Sequence, residues 1–183
     1  MLAYFVLILA VCSRVLPHAF HSVGMNITAV GGSLLFFGSR RPRWQGILAA
    51  GAFALSDVYL TRVVYGYPFH VSAYAVTWAW YLGICLLASG VLRKVTPIRV
   101  GVAVLGSATS FFLLSNLVVW TGSGMYSHTL AGLGICYVAA LPFYANDLVS
   151  TGLTVGVLFG LPAVASRIVG AWRNAAASYQ PLA

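Results

Sequence analysis

The chain of 183 residues is 61% hydrophobic and 7% charged, and its two acids face ten Lys and Arg. This excludes an ordinary soluble domain, in which about 25% of residues are charged. Six spans of about 20 residues would occupy roughly 120 positions, leaving no sizeable soluble domain, and the net charge of +8 takes its meaning from where the bases fall.

Residues 1–16 are apolar enough for a signal peptide. They lack a charged leading segment and an Ala-x-Ala cleavage site, so they read as a retained first span. Leu9-Ala10-Val11-Cys12 has the outline of a lipoprotein cleavage box, with Val11 where a small residue belongs. Polar breaks between apolar stretches predict helices near 2–16, 26–38, 45–60, 72–92, 99–120 and 148–166. Arg40, Arg41 and Arg43 follow the second, Arg93, Lys94 and Arg99 flank the fourth-to-fifth turn, and Arg167 and Arg173 follow the sixth. All eight share one side if both termini are cytoplasmic, which is how a bilayer sorts Lys and Arg. The +8 is then a record of topology, and no nucleic-acid partner is expected. The segment 129–144 is apolar but carries Pro142, and a seventh span would move Arg167 to the wrong side. It reads as a re-entrant or interfacial helix over the outer mouth, sheltered by protein.

The expected fold is therefore an all-α membrane protein with six transmembrane helices and an extra outer helix. Residues 1–173 form a single transmembrane domain and 174–183 a short, frayed C-terminal tail.

That orientation places both acids, Asp57 and Asp147, and all four histidines, His18, His21, His70 and His128, on the outer side. A carboxylate such as Asp57, near the outer end of the third span, needs a partner. Arg62 is nearest in sequence and Arg14 is another choice. An Asp–Arg clasp between helix ends and a direct ligand contact are both open, and they can coexist. His18 and His21 are spaced for one face of a helical turn. With His70 and His128 they would form a metal site only if the loops converge, and solvated histidines are the plainer reading. One histidine as an axial ligand to a cofactor's metal is chemically easier.

Tyr74, Trp78 and Tyr81 recur at four- and three-residue spacing. They make one stripe able to stack on a flat ligand, or part of an interfacial aromatic belt with Trp120 and Tyr137. Asn116 is an amide within the fifth span, where pairing across helices is the ordinary role. Cys12, Cys85 and Cys136 lack zinc or dithiol spacing. Gly31 with Gly32, Gly46 with Ala50 and Ala54, and Gly152 with Gly156 supply small surfaces for close helix packing. There is no Walker loop, nucleophile elbow, HExxH or dinucleotide fingerprint. With two acids in total, acid–base catalysis has few actors, and an enzyme is the less favoured class.

Arg14-Val15-Leu16-Pro17-His18, Asn26-Ile27-Thr28-Ala29-Val30-Gly31-Gly32, Leu35-Phe36-Phe37-Gly38, Leu55-Ser56-Asp57, Ser115-Asn116-Leu117 with Trp120, Ala131-Gly132-Leu133, Tyr137 and Ala140-Leu141-Pro142-Phe143 together resemble an uncharacterised family of small bacterial membrane proteins. That family is similar to the substrate-binding S-components of energy-coupling-factor vitamin transporters. The resemblance implies six helices around an outward-facing site and uptake of a micronutrient. A separate ATPase module, or the subunit alone, would drive that uptake. S-components commonly carry Ala-x-x-x-Ala in the first helix, whereas Ala3 and Ala10 are seven apart, which sets docking to an energising module in question. The solitary S-component for vitamin B12 is the nearest analogy in size, and it suggests cobalamin as substrate, with His18, His21, His70 or His128 as a ligand to cobalt. The ligand-binding set expected on this reading is His18, His21, Asn26, Asp57, Arg62, His70, Tyr74, Trp78, Tyr81, Asn116, Trp120, His128 and Tyr137. A membrane enzyme, a metal-ion permease using the outer His and Asp residues, and a structural assembly subunit are the alternatives.

Overall fold

The structure, a computed structural model, describes residues 1–15 and 27–178. Every regular element among them is helical: α1 (Leu2–Ser13), α2 (Val30–Arg40), α3 (Gly46–Tyr59), α4 (Val71–Val91), α5 (Pro97–Gly122), α6 (Leu130–Val155) and α7 (Leu161–Ser178). A short 3-10 turn, Arg43–Gln45, leads into α3, and π-helical turns at Leu60–Val64 and Gly156–Gly160 follow α3 and α6. Four continuous helical stretches are long and apolar enough to cross a membrane: Arg43–Val64, Val71–Val91, Pro97–Gly122 and Leu130–Asn174. At 1.5 Å per residue, α1 and α2 reach only about 18 and 16 Å, short of a hydrocarbon layer of about 30 Å.

The shortest α-helix is the centre of the bundle. Every residue of α2 from Val30 to Gly38 is buried, the signature of a helix that is enclosed all round and therefore has no polar face to keep. Helices α1, α4, α5 and α6 surround it, and its glycines explain how they come so close. A Cβ on Gly38 would lie 2.3 Å from the Cys85 carbonyl oxygen, so α2 and α4 meet backbone to backbone. A Cβ on Gly32 would lie 2.6 Å from Thr154 Cβ on α6. Gly32 and Gly38 are thus used for packing inside the chain, whereas Gly156 has open space where a Cβ would be.

Most of the bases collect at one end. Arg40 lies over Phe36 and Phe159, 5.6 and 5.7 Å from their ring centroids. Arg41 lies 4.2 Å over Tyr4, Tyr4 donates to Gln45 Oε1 at 2.8 Å, and Arg43 Nε donates to Ser89 Oγ at 3.1 Å. The turn carrying Arg93 and Lys94 joins α4 to α5 at this same end. The guanidinium groups spread over aromatic faces and keep their charge at the rim.

The expected outer helix over 129–144 and the separate span over 148–166 are not what the chain forms. Residues 130–155 make one helix, so Pro142 sits inside α6. Proline removes one N–H and leaves the Val138 carbonyl without its usual donor, a loss that helices packed on neighbours tolerate. Here the neighbour is α5: Tyr137 Oη donates to the Leu113 carbonyl at 2.9 Å, Tyr144 Oη pairs with Thr109 Oγ1 at 2.9 Å, and both rings pack on Phe112. Asp147 is consequently a mid-helix residue, 8 % exposed, and not part of an outer loop. Because one helix replaces the expected pair of segments, Arg167 and Arg173 still follow the basic end. They lie on α7, where Leu161, Val164, Ile168 and Trp172 line one side at helical spacing and are exposed.

Candidate functional site

At the end of the bundle opposite the bases, Arg14 leaves the C-terminus of α1 and reaches into α3. Its Nη2 pairs with Asp57 Oδ1, and its Nη1 donates to Ser56 Oγ and, at 3.2 Å, to the Phe53 carbonyl. Asp57 is 2 % exposed, and its second oxygen accepts a hydrogen bond from Trp78 Nε1 on α4 at 2.9 Å. The carboxylate is therefore held from two other helices. Arg14, the more distant of the two candidate partners in sequence, is the one that reaches it. Arg62 instead lies in the π-helical turn after α3, 5.8 Å over the Phe69 ring.

The expected aromatic stripe is real, and it divides. Phe69, Tyr74 and Trp78 stack with centroids 5.0 to 6.2 Å apart, and Tyr74 Oη pairs with Thr61 Oγ1 at 2.7 Å. Tyr81, buried, turns inward onto Phe53 at 5.2 Å. One edge of the stack thus closes over the Arg14–Asp57 pair and the other faces outward. A hydrogen bond to a charged group contributes about 1.5–3 kcal/mol, so Trp78→Phe, which keeps the stack and loses the donor, should cost about that much in unfolding free energy. Tyr74→Phe, whose hydroxyl meets only Thr61, should cost about 0.5–1.5 kcal/mol. Equal losses in a detergent unfolding titration would show that the stack, and not the bond to Asp57, carries the effect.

Behind the ion pair is a cavity of about 110 Å³, whose lining includes Arg14, Thr28, Gly31, Trp80, Tyr81 and Asp147. It has room for several waters or a small solute. Trp80 is fixed on one wall by its Nε1 bond to Ser110 Oγ at 2.9 Å and by Phe111 at 4.8 Å. Arg14 and Asp147 give the cavity one basic and one acidic side chain within an otherwise apolar bundle.

The other expected site residues are dispersed. Asn116 Nδ2 donates to the Phe112 carbonyl one turn back at 2.8 Å, and its side chain shares a narrow cleft between α5 and α6 with Tyr144 and Asp147. Trp120 donates to the Ser127 carbonyl at 2.9 Å and packs edge-on against His128 at 5.5 Å. His70 precedes α4 and is exposed. His18, His21 and Asn26 lie outside the described residues, among which no group of three or more His, Cys, Asp or Glu comes together to hold a metal ion. Of the cavity residues, only Tyr81 belongs to the ligand set expected from sequence. Thr28, Gly31 and Trp80 carry no local signal, since their shared wall exists only once α2 is central.

Fold and site define a small, apolar, all-helical protein whose length of continuous helix suggests association with a membrane. The chain belongs to DUF6580, a family of unknown function whose model matches residues 1–174. No curated protein and no solved structure matches it.

Proposed function

We propose that the protein is a membrane-embedded binding subunit for uptake of a small polar solute, seated in the cytoplasmic membrane of a bacterium with its basic end and both termini inside. In this arrangement α3 to α6 cross the membrane, the shorter α1 and α2 pair within the bundle, and the ion pair, the cavity and the turns 65–70 and 123–129 lie toward the outer side. The observation that carries the reading is the cavity: a half-buried guanidinium and a buried carboxylate share it, at the end away from the clustered bases. Intramembrane charge facing a cavity marks a solute or ion path, and helix packing alone would be served by apolar side chains.

The volume favours a small molecule or ion. Pockets for drug-sized ligands occupy about 300–1,000 Å³, so cobalamin, the substrate suggested by the resemblance to the solitary S-component, requires the site to open widely. An energising ATPase module remains a proposed partner, with the wide spacing of Ala3 and Ala10 arguing for action without one.

The test is a thermal-shift panel on the purified full chain, covering water-soluble vitamins, cobalamin, haem, amino acids and divalent metals. One class is expected to raise Tm saturably, and Arg14→Gln should abolish that response. A visible corrinoid or haem spectrum would identify the large ligands directly. Silence across the panel, or a response unchanged in Arg14→Gln, would remove the cavity as a binding site. Continued binding in His70→Ala and His128→Ala proteins would separate the cavity from a histidine-based metal site.

A further inference from the structure

We propose that Asp147, Ser107 and Thr151, at the junction of α2, α5 and α6, form a binding site for a dehydrated monovalent alkali cation, sodium before potassium. The proposal deepens the transport reading above by giving the same region a coupling ion.

Three observations converge on it. Ser107 Oγ and Thr151 Oγ1 are both on residues 0 % exposed, and neither makes a hydrogen bond of ordinary geometry, although Thr151 is close enough to interact with the Asp147 carboxyl. Their neighbours behave differently: Ser110, Ser150 and Thr154 each donate to a carbonyl of their own helix, at 3.0, 3.1 and 2.7 Å. That ordinary escape is open to any helical Ser or Thr, and these two hydroxyls do not take it. A buried hydroxyl left unbonded costs about 1–3 kcal/mol, so the pair calls for an occupant that uses oxygen lone pairs.

Gly31 brings the hydroxyls together. The position its Cβ would occupy is 2.6 Å from Thr151 Oγ1 and 3.2 Å from Ser107 Oγ. The two oxygens, from different helices, therefore both press against the bare backbone of Gly31, an approach that a side chain on α2 would prevent. Gly31 also lines the polar cavity, so the two hydroxyls adjoin it.

Asp147 supplies the charge. It precedes Thr151 by four residues, so the two project from the same face of α6, and it faces the cavity while 8 % exposed. Among the described residues the salt bridge is Arg14–Asp57, in which Arg14 is already committed. Two buried carboxylates against one guanidinium leave a single negative charge. A monovalent cation balances it, whereas a divalent ion would leave surplus positive charge beside Arg14 in a low-dielectric interior. A donor set of carboxylate and hydroxyl oxygens, without sulfur or imidazole, suits hard cations.

The experiment is thermal unfolding of the full-length protein in detergent, followed by tryptophan fluorescence, as choline chloride is exchanged for NaCl, KCl or LiCl at constant ionic strength and pH. Sodium is expected to raise Tm saturably above choline, with potassium weaker. Asp147→Asn should lose the response, and Thr151→Val and Ser107→Ala should each raise the half-saturating sodium concentration about tenfold, equivalent to about 1.4 kcal/mol. Thr151→Val retains both shape and carboxylate, so it keeps the test open if Asp147→Asn does not fold. Equal Tm in choline and sodium overturns the proposal. So does a sodium response that survives in Asp147→Asn, or a Tm that follows pH alone with Asp147→Asn resembling the low-pH protein, which would make the occupant a proton. No solute is present in this assay. A sodium shift without any ligand found by the panel would keep the ion site and remove the uptake reading, and the opposite pair of results would do the reverse.

Discussion

Arg14→Ala is expected to lower the unfolding free energy by about 3–5 kcal/mol, because it strands the Asp57 carboxylate, 2 % exposed, without its countercharge. Removing both charges should cost much less than removing one. A buried pair gains its attraction only after both ions are desolvated, and apolar replacements of similar volume are often neutral. Arg14→Met with Asp57→Leu should therefore recover most of the loss seen in either single variant, less the contribution of Trp78 Nε1, whose acceptor has gone. The measurement is a double-mutant cycle from equilibrium unfolding in detergent, where the coupling free energy should reach about 3 kcal/mol or more, at or above the top of the range for contacting residues. Additive losses would mean that Arg14 and Asp57 stabilise the bundle separately. The solute panel reads the second consequence: the double variant should fold and fail to bind, which separates the clasp's structural role from its role at the cavity.

Gly38→Ala should be among the most damaging single-methyl changes at the described helix crossings. The added carbon would come 2.3 Å from the Cys85 carbonyl oxygen and 2.8 Å from its Cα, both backbone atoms that no rotamer change can move aside. Relief requires α2 and α4 to separate, and overpacking of this kind costs about 1–3 kcal/mol or more. Two controls fix the interpretation. Gly51→Ala, in α3 with nothing within 4 Å of the new carbon, should stabilise by up to about 1 kcal/mol through helix propensity. Gly31→Ala meets two hydroxyls, so it should cost less stability than Gly38→Ala and abolish the sodium response by pushing the two oxygens apart. If Gly38→Ala and Gly51→Ala changed Tm alike, the close backbone contact of α2 with α4 would be wrong, and with it the central place of α2.

The apolar character of the chain and most helix positions could be read from composition and breaks. The stretches expected near 45–60, 72–92 and 99–120 correspond to α3, α4 and α5, because each is bounded by bases, Pro or Gly and is apolar throughout. Sequence divides residues 129–166 in two because Pro142 signals a break and the placement of charge constrains the topology. A single helix with an internal proline satisfies both, since it too leaves Arg167 on the basic side. The same division leaves Asp147 in a loop, where a carboxylate needs no explanation, whereas burial inside α6 makes it the most demanding residue of that helix. The partner of Asp57 was narrowed to two arginines, and proximity in sequence favoured the wrong one: Arg62 is carried away by the π-helical turn onto Phe69. What sequence could not supply is helix rotation. Ser107 and Thr151 look like ordinary packing hydroxyls until their facing of Gly31 is known, and the Trp78 bond to Asp57 depends on the same unknown.

The central claim is a polar cavity that opens to the outer side of a membrane. It is tested most directly at Thr28, which lines that cavity. In a background with Cys12, Cys85 and Cys136 replaced by Ser, Thr28→Cys should react with a membrane-impermeant, positively charged thiol reagent added outside intact cells, and should resist the same reagent added to inside-out vesicles. Modification only from the cytoplasmic side, or from neither side until the protein is denatured, would contradict the account.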